Sequence, residues 1–273
     1  MTTQQFLTSA WTWNFAVLVS TGIALAAYIR AFGMNRRIGY LLGALIVFLF
    51  TLSSPINALA AGGYLFSAHM LQHILLLLIV PALLLMSLSR SFSFGPRRWL
   101  ISNPFVGWIC GVGAMWLWHA RPLCNAAVSS KLVNAAQISS LLLLGAIFWR
   151  QILAPREEER LSPPGAVLYL FSACVACSIL GILITFSPVS VCPIYAQPAA
   201  DQQGLFNLIQ SSWGITPEKD QQIGGLLMWV PMCLIYLAAI IAQLARWFTH
   251  PVGAAVAGVH SQHLGSPSAT DQV

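Results

Sequence analysis

The sequence predicts an all-α integral membrane protein, a bundle of seven transmembrane helices with its N-terminus outside and its C-terminus inside. Of its 273 residues, 58% are hydrophobic and 7% are charged, whereas a soluble domain carries about a quarter charged residues. The stretch from Ile38 to Ser89 contains no Asp, Glu, Lys or Arg, and it can cross a bilayer twice because one helical span takes about 20 residues. The apolar runs lack the alternating polarity of barrel strands, so we expect helices.

Seven apolar runs mark the predicted spans. They cover residues 11–29, 38–56, 65–87, 104–120, 132–152, 165–187 and 221–246. The first ten residues contain no basic side chain, and Arg30, Arg36 and Arg37 come after the first apolar run. Because this order is the reverse of that in a cleavable signal peptide, we expect the first helix to be retained.

The basic residues predict the orientation of the bundle, because Lys and Arg are enriched in cytoplasmic loops. With the N-terminus outside, only Arg121, Lys131 and Lys219 fall in outer segments. The inner segments then hold Arg30, Arg36, Arg37, Arg90, Arg97, Arg98, Arg150, Arg156, Arg160 and Arg246. The net charge of +6 therefore reflects orientation in a lipid bilayer, and we expect no nucleic-acid partner.

The segments between and after the spans receive simple interpretations. The inner loop 155–164 carries a run of charges and is predicted to be a solvated turn. The outer segment 188–220 contains a short amphipathic piece at 205–213, which is expected either to cap the bundle or to contact a partner. Residues 1–250 form the predicted transmembrane domain, and residues 251–273 form a flexible cytoplasmic tail of low hydrophobicity. Three histidines are assigned to the tail region: His250, His260 and His263.

Histidines near the outer ends of two spans form the principal candidate site. His69 and His73 are four residues apart at the start of the third span, so their side chains share one helical face. Two imidazoles in this arrangement can bind one metal ion. Placing polar side chains inside a membrane costs free energy, so their presence favours a functional role. His119 ends the fourth span, with Met115 one turn deeper. We therefore predict that His69, His73 and His119 bind one metal ion.

The seventh span begins with a second group of polar and small residues. Gln221, Gly224, Gly225 and Met228 share one helical stripe, and the glycine pair permits close approach of another helix. Met228 is a candidate ligand, although methionine more often fills a core; a thioether together with imidazoles favours Cu(I). Asp220 is either a helix cap or a partner that orients a ligand imidazole.

The six cysteines divide between the spans and the outer loops. Cys124 and Cys192 are in outer loops, where an oxidising compartment permits a disulfide, and we predict that they approach each other. Cys174 and Cys177 form a C-x-x-C pattern in the sixth span, which is interpreted as packing of small apolar side chains. The cysteines within spans are Cys110, Cys174, Cys177 and Cys233.

Several sequence blocks carry a family resemblance. They are Pro55, F-S-A-H-M-L-Q-H at 66–73, W-H at 118–119, F-W at 148–149 and D-Q-Q-I-G-G-L-L-M-W-V-P at 220–231. In this order, over residues 38–246, the blocks resemble the CtaG family of assembly factors for cytochrome c oxidase, named for the caa3-type enzyme. The resemblance implies a non-enzymatic, multi-pass protein of the bacterial inner membrane. It also implies a role in supplying copper to the CuB centre of the oxidase, or in stabilising the subunit that receives copper.

The resemblance also implies a ligand set and partners. Copper is the expected cofactor, and the subunits of cytochrome c oxidase are the expected partners. The implied ligands are His69, His73, His119 and Met228. The residues expected around them are Asp220, Gln221, Gln137 and Met115. Many family members have a further histidine near Gln137 and Ile138, so this chain has a smaller site or a different task if that histidine is a ligand.

Other functions remain open at the level of sequence. A b-type cytochrome could hold a haem between His73 and His119, and a metal transporter could use the outer histidines as an entry site. A di-iron enzyme needs more histidine or carboxylate ligands than the spans contain. A retinal protein needs a lysine within a helix, whereas Lys131 and Lys219 lie at helix edges.

Overall fold

The computed structural model describes residues 2–92, 102–196 and 204–249, and this part of the chain contains helices and no strand. The all-α prediction is therefore confirmed for the described residues. The predictions for Arg97, Arg98, His250 and the tail 251–273 concern residues outside these ranges.

The helices follow the predicted apolar runs closely. In chain order they are α1 (Thr3–Ser9), α2 (Phe15–Phe32), α3 (Ile38–Ser53), α4 (Pro55–Ala61), α5 (Phe66–Ile74), α6 (Val80–Ser87), α7 (Pro104–Trp118), α8 (Arg121–Ser129), α9 (Lys131–Leu153), α10 (Pro163–Phe186), α11 (Leu205–Asn207) and α12 (Pro217–Thr249). One π-helical turn, Leu75–Ile79, joins α5 to α6, and another, Leu208–Ser212, follows α11.

Five helices in the described residues are long and apolar enough to cross a membrane. They are α2, the continuous pair α5–α6, α9, α10 and α12. The bent pair α3–α4 makes a sixth if it is counted as one span, and the apolar helix α7 is shorter. The protein is thus a helical membrane protein with five or six candidate spans.

The second predicted span, 38–56, is bent by 51° where α3 meets α4. Pro55 occupies the first position of α4, and its ring and missing N–H prevent α3 from continuing. Ser54 accepts a hydrogen bond from the backbone N–H of Ile56 at 3.3 Å and so caps the new helix. The short helices α1 and α8 lie in segments for which the sequence predicted no helix.

The outer segment packs onto the bundle and forms a cap with the N-terminus. Phe6 of α1 lies in one apolar cluster with Leu59 of α4 and with Ile209 of the second π-helical turn. The rings of Phe6 and Trp213 are 6.1 Å apart, and the indole N–H of Trp213 donates to Thr3 at 2.9 Å. The prediction that residues 205–213 cap the bundle is therefore confirmed, and contact with a partner stays a prediction.

The predicted approach of Cys124 and Cys192 is confirmed. The two residues form a disulfide with their Cα atoms 5.9 Å apart. This bond joins α8 to the loop that leads into the 3-10 turn Pro193–Tyr195. In that turn, the hydroxyl of Tyr195 donates to the carbonyl oxygen of Ala60 at 2.9 Å. We refer to the end of the bundle marked by Cys124 and Cys192 as the disulfide end.

Candidate metal centre

The three predicted ligand histidines come together in the interior of the bundle. His69 and His73 lie on α5, and His119 directly follows the last residue of α7. The ring centroids of His69 and His73 are 4.4 Å apart, and those of His73 and His119 are 5.1 Å apart. All three residues are buried, with at most 6% of their surface exposed. Two helices that are distant in sequence thus form one cluster of imidazoles.

Asp220 fixes the start of the helix that carries two of these histidines. The residue before α5 is Leu65, whose side chain cannot accept a hydrogen bond from the first turn. Instead, the buried carboxylate of Asp220 accepts from the backbone N–H groups of Phe66 at 2.5 Å and Ser67 at 3.0 Å. Asp220 is therefore a cap, but for α5 rather than for its own helix, and it positions the histidine helix against α12.

His119 has one ring nitrogen in a hydrogen bond and the other facing a thioether. Its Nδ1 lies 2.5 Å from the carbonyl oxygen of Met115, and this nitrogen must carry the proton because a carbonyl only accepts. Nε2 is then an unprotonated nitrogen, and it lies 2.9 Å from the sulfur of Met70. Neither this nitrogen nor the sulfur carries a proton, so the two atoms form no hydrogen bond with each other. Both atom types are ligands for Cu(I).

His73 is the least satisfied polar residue of the cluster. Only 1% of its surface is exposed, and neither of its ring nitrogens has a partner with the geometry of a full hydrogen bond, although the side-chain amide of Gln137 interacts with the ring. Burying an unpartnered polar group costs about 1–3 kcal/mol. A metal ion that bound one of these nitrogens would offset this cost, so the donor set fits a metal. Among the described residues, however, no three His, Cys, Asp or Glu side chains form a ready-made ligand set, so binding requires rotation of the rings.

The other predicted site residues divide into two groups. Gln137 is buried, and its Nε2 atom lies 3.4 Å from Nε2 of His69. Met115 contributes its carbonyl oxygen to His119, and Met228 is fully buried in the same apolar cluster as Met115. Gln221 is not brought to the histidines by any hydrogen bond. Its amide accepts from the backbone N–H of Val191 at 2.8 Å and donates to three carbonyl oxygens between residues 184 and 189.

Two residues beside the histidines were absent from the predicted set. Met70 faces His119, although it is the immediate neighbour of His69 in sequence. Successive side chains in a helix are turned by about 100°. The spacing that places His69 and His73 on one face therefore predicts that Met70 lies on a different face. Tyr195 has its ring 5.7 Å from that of His69. Tyr195 lies in a 3-10 turn within a loop. The periodicity of the sequence predicts which residues of one helix share a face, but it does not predict which loop residue contacts that helix.

The comparison with known protein families decides the identity of this bundle. A family model described as cytochrome c oxidase caa3 assembly factor (Caa3_CtaG) matches residues 23–250. The chain belongs to the Caa3_CtaG family. The resemblance that the sequence blocks carried is therefore confirmed, and the histidine cluster lies within the matched region of this family member.

The curated relatives of this Caa3_CtaG protein are longer chains. An uncharacterized protein of Mycobacterium leprae is 25% identical over 269 residues, covering 86% of this chain and 39% of the relative. An uncharacterized protein of Mycobacterium bovis is 24% identical over 297 residues, covering 96% of this chain and 43% of the relative. The chain thus spans about two-fifths of the length of these relatives. No solved structure matches it.

The cap that Asp220 forms on α5 gives a prediction for this Caa3_CtaG protein. Replacing Asp220 by Ala should lower the free energy of unfolding by about 3 kcal/mol or more, because it removes two hydrogen bonds to a charged group and each contributes about 1.5–3 kcal/mol. Thermal unfolding in detergent measures this change. Glu218→Ala is the matched control, because Glu218 is exposed in the first turn of the same helix. An equal loss of stability in both variants would contradict the role of the cap.

Proposed function

We propose that this assembly factor binds one copper ion through His69, His73 and His119 and aids maturation of the CuB centre of its oxidase. Family membership supports the assembly role, and the copper site is our inference from the histidine cluster. Met70 is proposed as a further ligand because its sulfur already faces His119. Met228 remains a proposed ligand and lies buried in the same apolar cluster as Met70.

The buried imidazole of His73 is the observation that carries this proposal. Buried polar groups usually have well-formed hydrogen bonds, and the ring of His73 has only the weaker contact with the Gln137 amide. It lies beside two further imidazoles, one of which faces the thioether of Met70. Such an arrangement is costly without a ligand and becomes favourable once a cation is bound.

Copper is favoured by the types of atoms that meet at this site. Imidazole binds copper, zinc and nickel, whereas thioether sulfur selects for Cu(I). No carboxylate lies among the proposed ligands, because the oxygens of Asp220 accept hydrogen bonds from α5. When bound, copper is the cargo that the oxidase requires, and the residues of this chain hold it away from water.

The proposal includes a seven-span topology with the N-terminus outside, in the inner membrane of a bacterium. The spans would be α2, α3–α4, α5–α6, α7, α9, α10 and α12. Disulfides form in oxidising compartments, so the disulfide end, which also contains the histidines, is assigned to the outside. The opposite end contains Arg37 and the ion pair of Arg150 with Glu159 at 3.1 Å, in agreement with the enrichment of arginine on the cytoplasmic side.

The haem-binding alternative is disfavoured by the packing of the rings. The ring centroids of His73 and His119 are 5.1 Å apart in an edge contact, so a porphyrin cannot lie between them without separation of α5 from α7.

A copper carrier and a copper transporter would share the same outer site. Family membership favours delivery to an oxidase, and the transporter remains the second candidate.

Copper analysis of purified protein tests the proposal. The wild-type protein, loaded with Cu(I) in detergent and washed, should retain one copper ion at this site, and His69→Ala/His73→Ala should lose it. His260→Ala is the control, because that histidine is assigned to the tail. In cells, the double variant should be inserted normally while the copper content of CuB falls. Normal copper in an oxidase assembled with His69→Ala/His73→Ala/His119→Ala would contradict the proposed function.

A further inference from the structure

Two thiols from different helices lie in contact near the middle of the bundle. The sulfur of Cys174 on α10 is 3.2 Å from the sulfur of Cys233 on α12. Cys174 is the twelfth of the 24 residues of α10, and Cys233 is the seventeenth of the 33 residues of α12. The hydroxyl of Ser178 lies 3.1 Å from the sulfur of Cys233. The pair is therefore at the midpoint of both helices.

Close contact between the two helices brings the thiols together. Gly181 of α10 and Gly225 of α12 meet backbone to backbone, since a Cβ atom on Gly225 would lie 2.9 Å from the carbonyl oxygen of Gly181. From this contact, Cys174 is seven residues away along α10 and Cys233 is eight residues away along α12. At 1.5 Å per residue, both distances are about 10–12 Å. Antiparallel helices thus place the two thiols at the same level.

We propose that Cys174 and Cys233 form a second metal site, which binds one monovalent soft cation, Cu(I) in the cell. Thiolates select soft metals, and Cu(I) is stable with two sulfur ligands. Zinc is less suitable, because structural zinc requires four ligands and this position offers two thiols and one hydroxyl. The assignment depends on the contact between the thiols and not on the histidine cluster.

The position in the membrane also favours a monovalent cation. Binding replaces the proton of one thiol by Cu(I), so that one S–H bond breaks, one S–Cu bond forms and one proton leaves. The second sulfur donates a lone pair as a neutral thiol. The site therefore has no net charge before or after binding, which avoids the cost of placing a charge within the bilayer.

Buried thioethers connect the level of the thiols with the level of the histidines. Met228 and Met232 lie one turn apart on α12, and at most 1% of the surface of either is exposed. A Cβ atom on Gly224, one turn before Met228, would lie 3.2 Å from Cγ of Met70. Along α12, two buried thioethers therefore lie at levels between the part of the helix that contacts Met70 and Cys233.

Titration with Ag(I), a redox-stable probe for Cu(I), tests this second site. The purified His69→Ala/His73→Ala protein should still bind one Ag(I) ion, with release of one proton, and Cys174→Ser/Cys233→Ser on the same background should lose it. Cys110→Ser is the matched control, because Cys110 is also a half-buried cysteine within a span. X-ray absorption of the Cu(I)-loaded His69→Ala/His73→Ala protein should show sulfur neighbours that are lost when Cys174→Ser/Cys233→Ser is added.

The outcomes separate this site from the proposed copper function. Loss of Ag(I) binding in the Cys174→Ser/Cys233→Ser variant with retention in Cys110→Ser supports the thiol site, even if the histidines bind nothing. Unchanged Ag(I) binding in the double-serine variant overturns it. An intact mass that lacks two hydrogens beyond those lost at Cys124 and Cys192 also overturns it, because the thiols would then form a disulfide.

Discussion

Replacing His73 by Leu should abolish copper binding at the histidine cluster and at the same time stabilise the metal-free protein. Both ring nitrogens of His73 are buried without a well-formed hydrogen bond, and Gln137 is the side chain that interacts with the ring; a buried polar group left unsatisfied costs about 1–3 kcal/mol. Leucine fills similar space without that cost, so the free energy of unfolding should rise by about 1 kcal/mol or more. Thermal unfolding of the copper-free protein in detergent, together with copper analysis of the loaded protein, measures both effects.

His119→Leu provides the matched comparison for this prediction. It should also remove copper binding, but it breaks the hydrogen bond from Nδ1 to the carbonyl oxygen of Met115, so no stabilisation is expected. In a Cys174→Ser/Cys233→Ser background, copper at one hundred times its dissociation constant should stabilise the protein with intact histidines by about 2.7 kcal/mol and leave both leucine variants unchanged. A lower unfolding temperature for copper-free His73→Leu would mean that His73 has a structural role.

Most of the helices were predictable because the membrane imposes a simple constraint on sequence. The run predicted at 132–152 corresponds to α9, and the run predicted at 165–187 corresponds to α10. An apolar stretch of sufficient length must be helical in lipid, so composition alone predicts these elements. The bend at Pro55 could not be predicted with the same ease. Proline is tolerated inside membrane helices, as Pro231 is inside α12, and its effect depends on neighbouring helices.

The candidate site was predictable only where its residues share one helix. The spacing of His69 and His73 fixes their common face, whereas the approach of His119 depends on how α9 packs against both α7 and the π-helical turn that follows α5. Asp220 illustrates the same limit, because its carboxylate caps a helix that lies about 150 residues earlier in the chain. Gln221, its neighbour, was expected near the ligands but binds the loop after α10. Polarity identified these residues, and only tertiary structure identified their partners.

Replacing Gly225 by Ala should separate α10 from α12 and destabilise the bundle. A Cβ atom at this position would lie 2.7 Å from the backbone nitrogen of Thr185 and 2.9 Å from the carbonyl oxygen of Gly181. Backbone atoms cannot rotate away as a side chain can, so the helices must move apart. Small residues permit such contacts between membrane helices, and overpacking typically costs about 1–3 kcal/mol. Thermal unfolding in detergent measures the loss.

Gly22→Ala is the control for Gly225→Ala, because both glycines lie within helices and a Cβ atom on Gly22 would have no neighbour within 4 Å. Alanine favours helix over glycine by about 1 kcal/mol, so Gly22→Ala should be neutral or stabilising. Gly225→Ala should also move Cys233 away from Cys174, and a bifunctional thiol reagent of short reach should then cross-link the pair less efficiently than in the wild type. Equal stability of the two variants with undiminished cross-linking would show that α10 and α12 do not depend on this glycine contact.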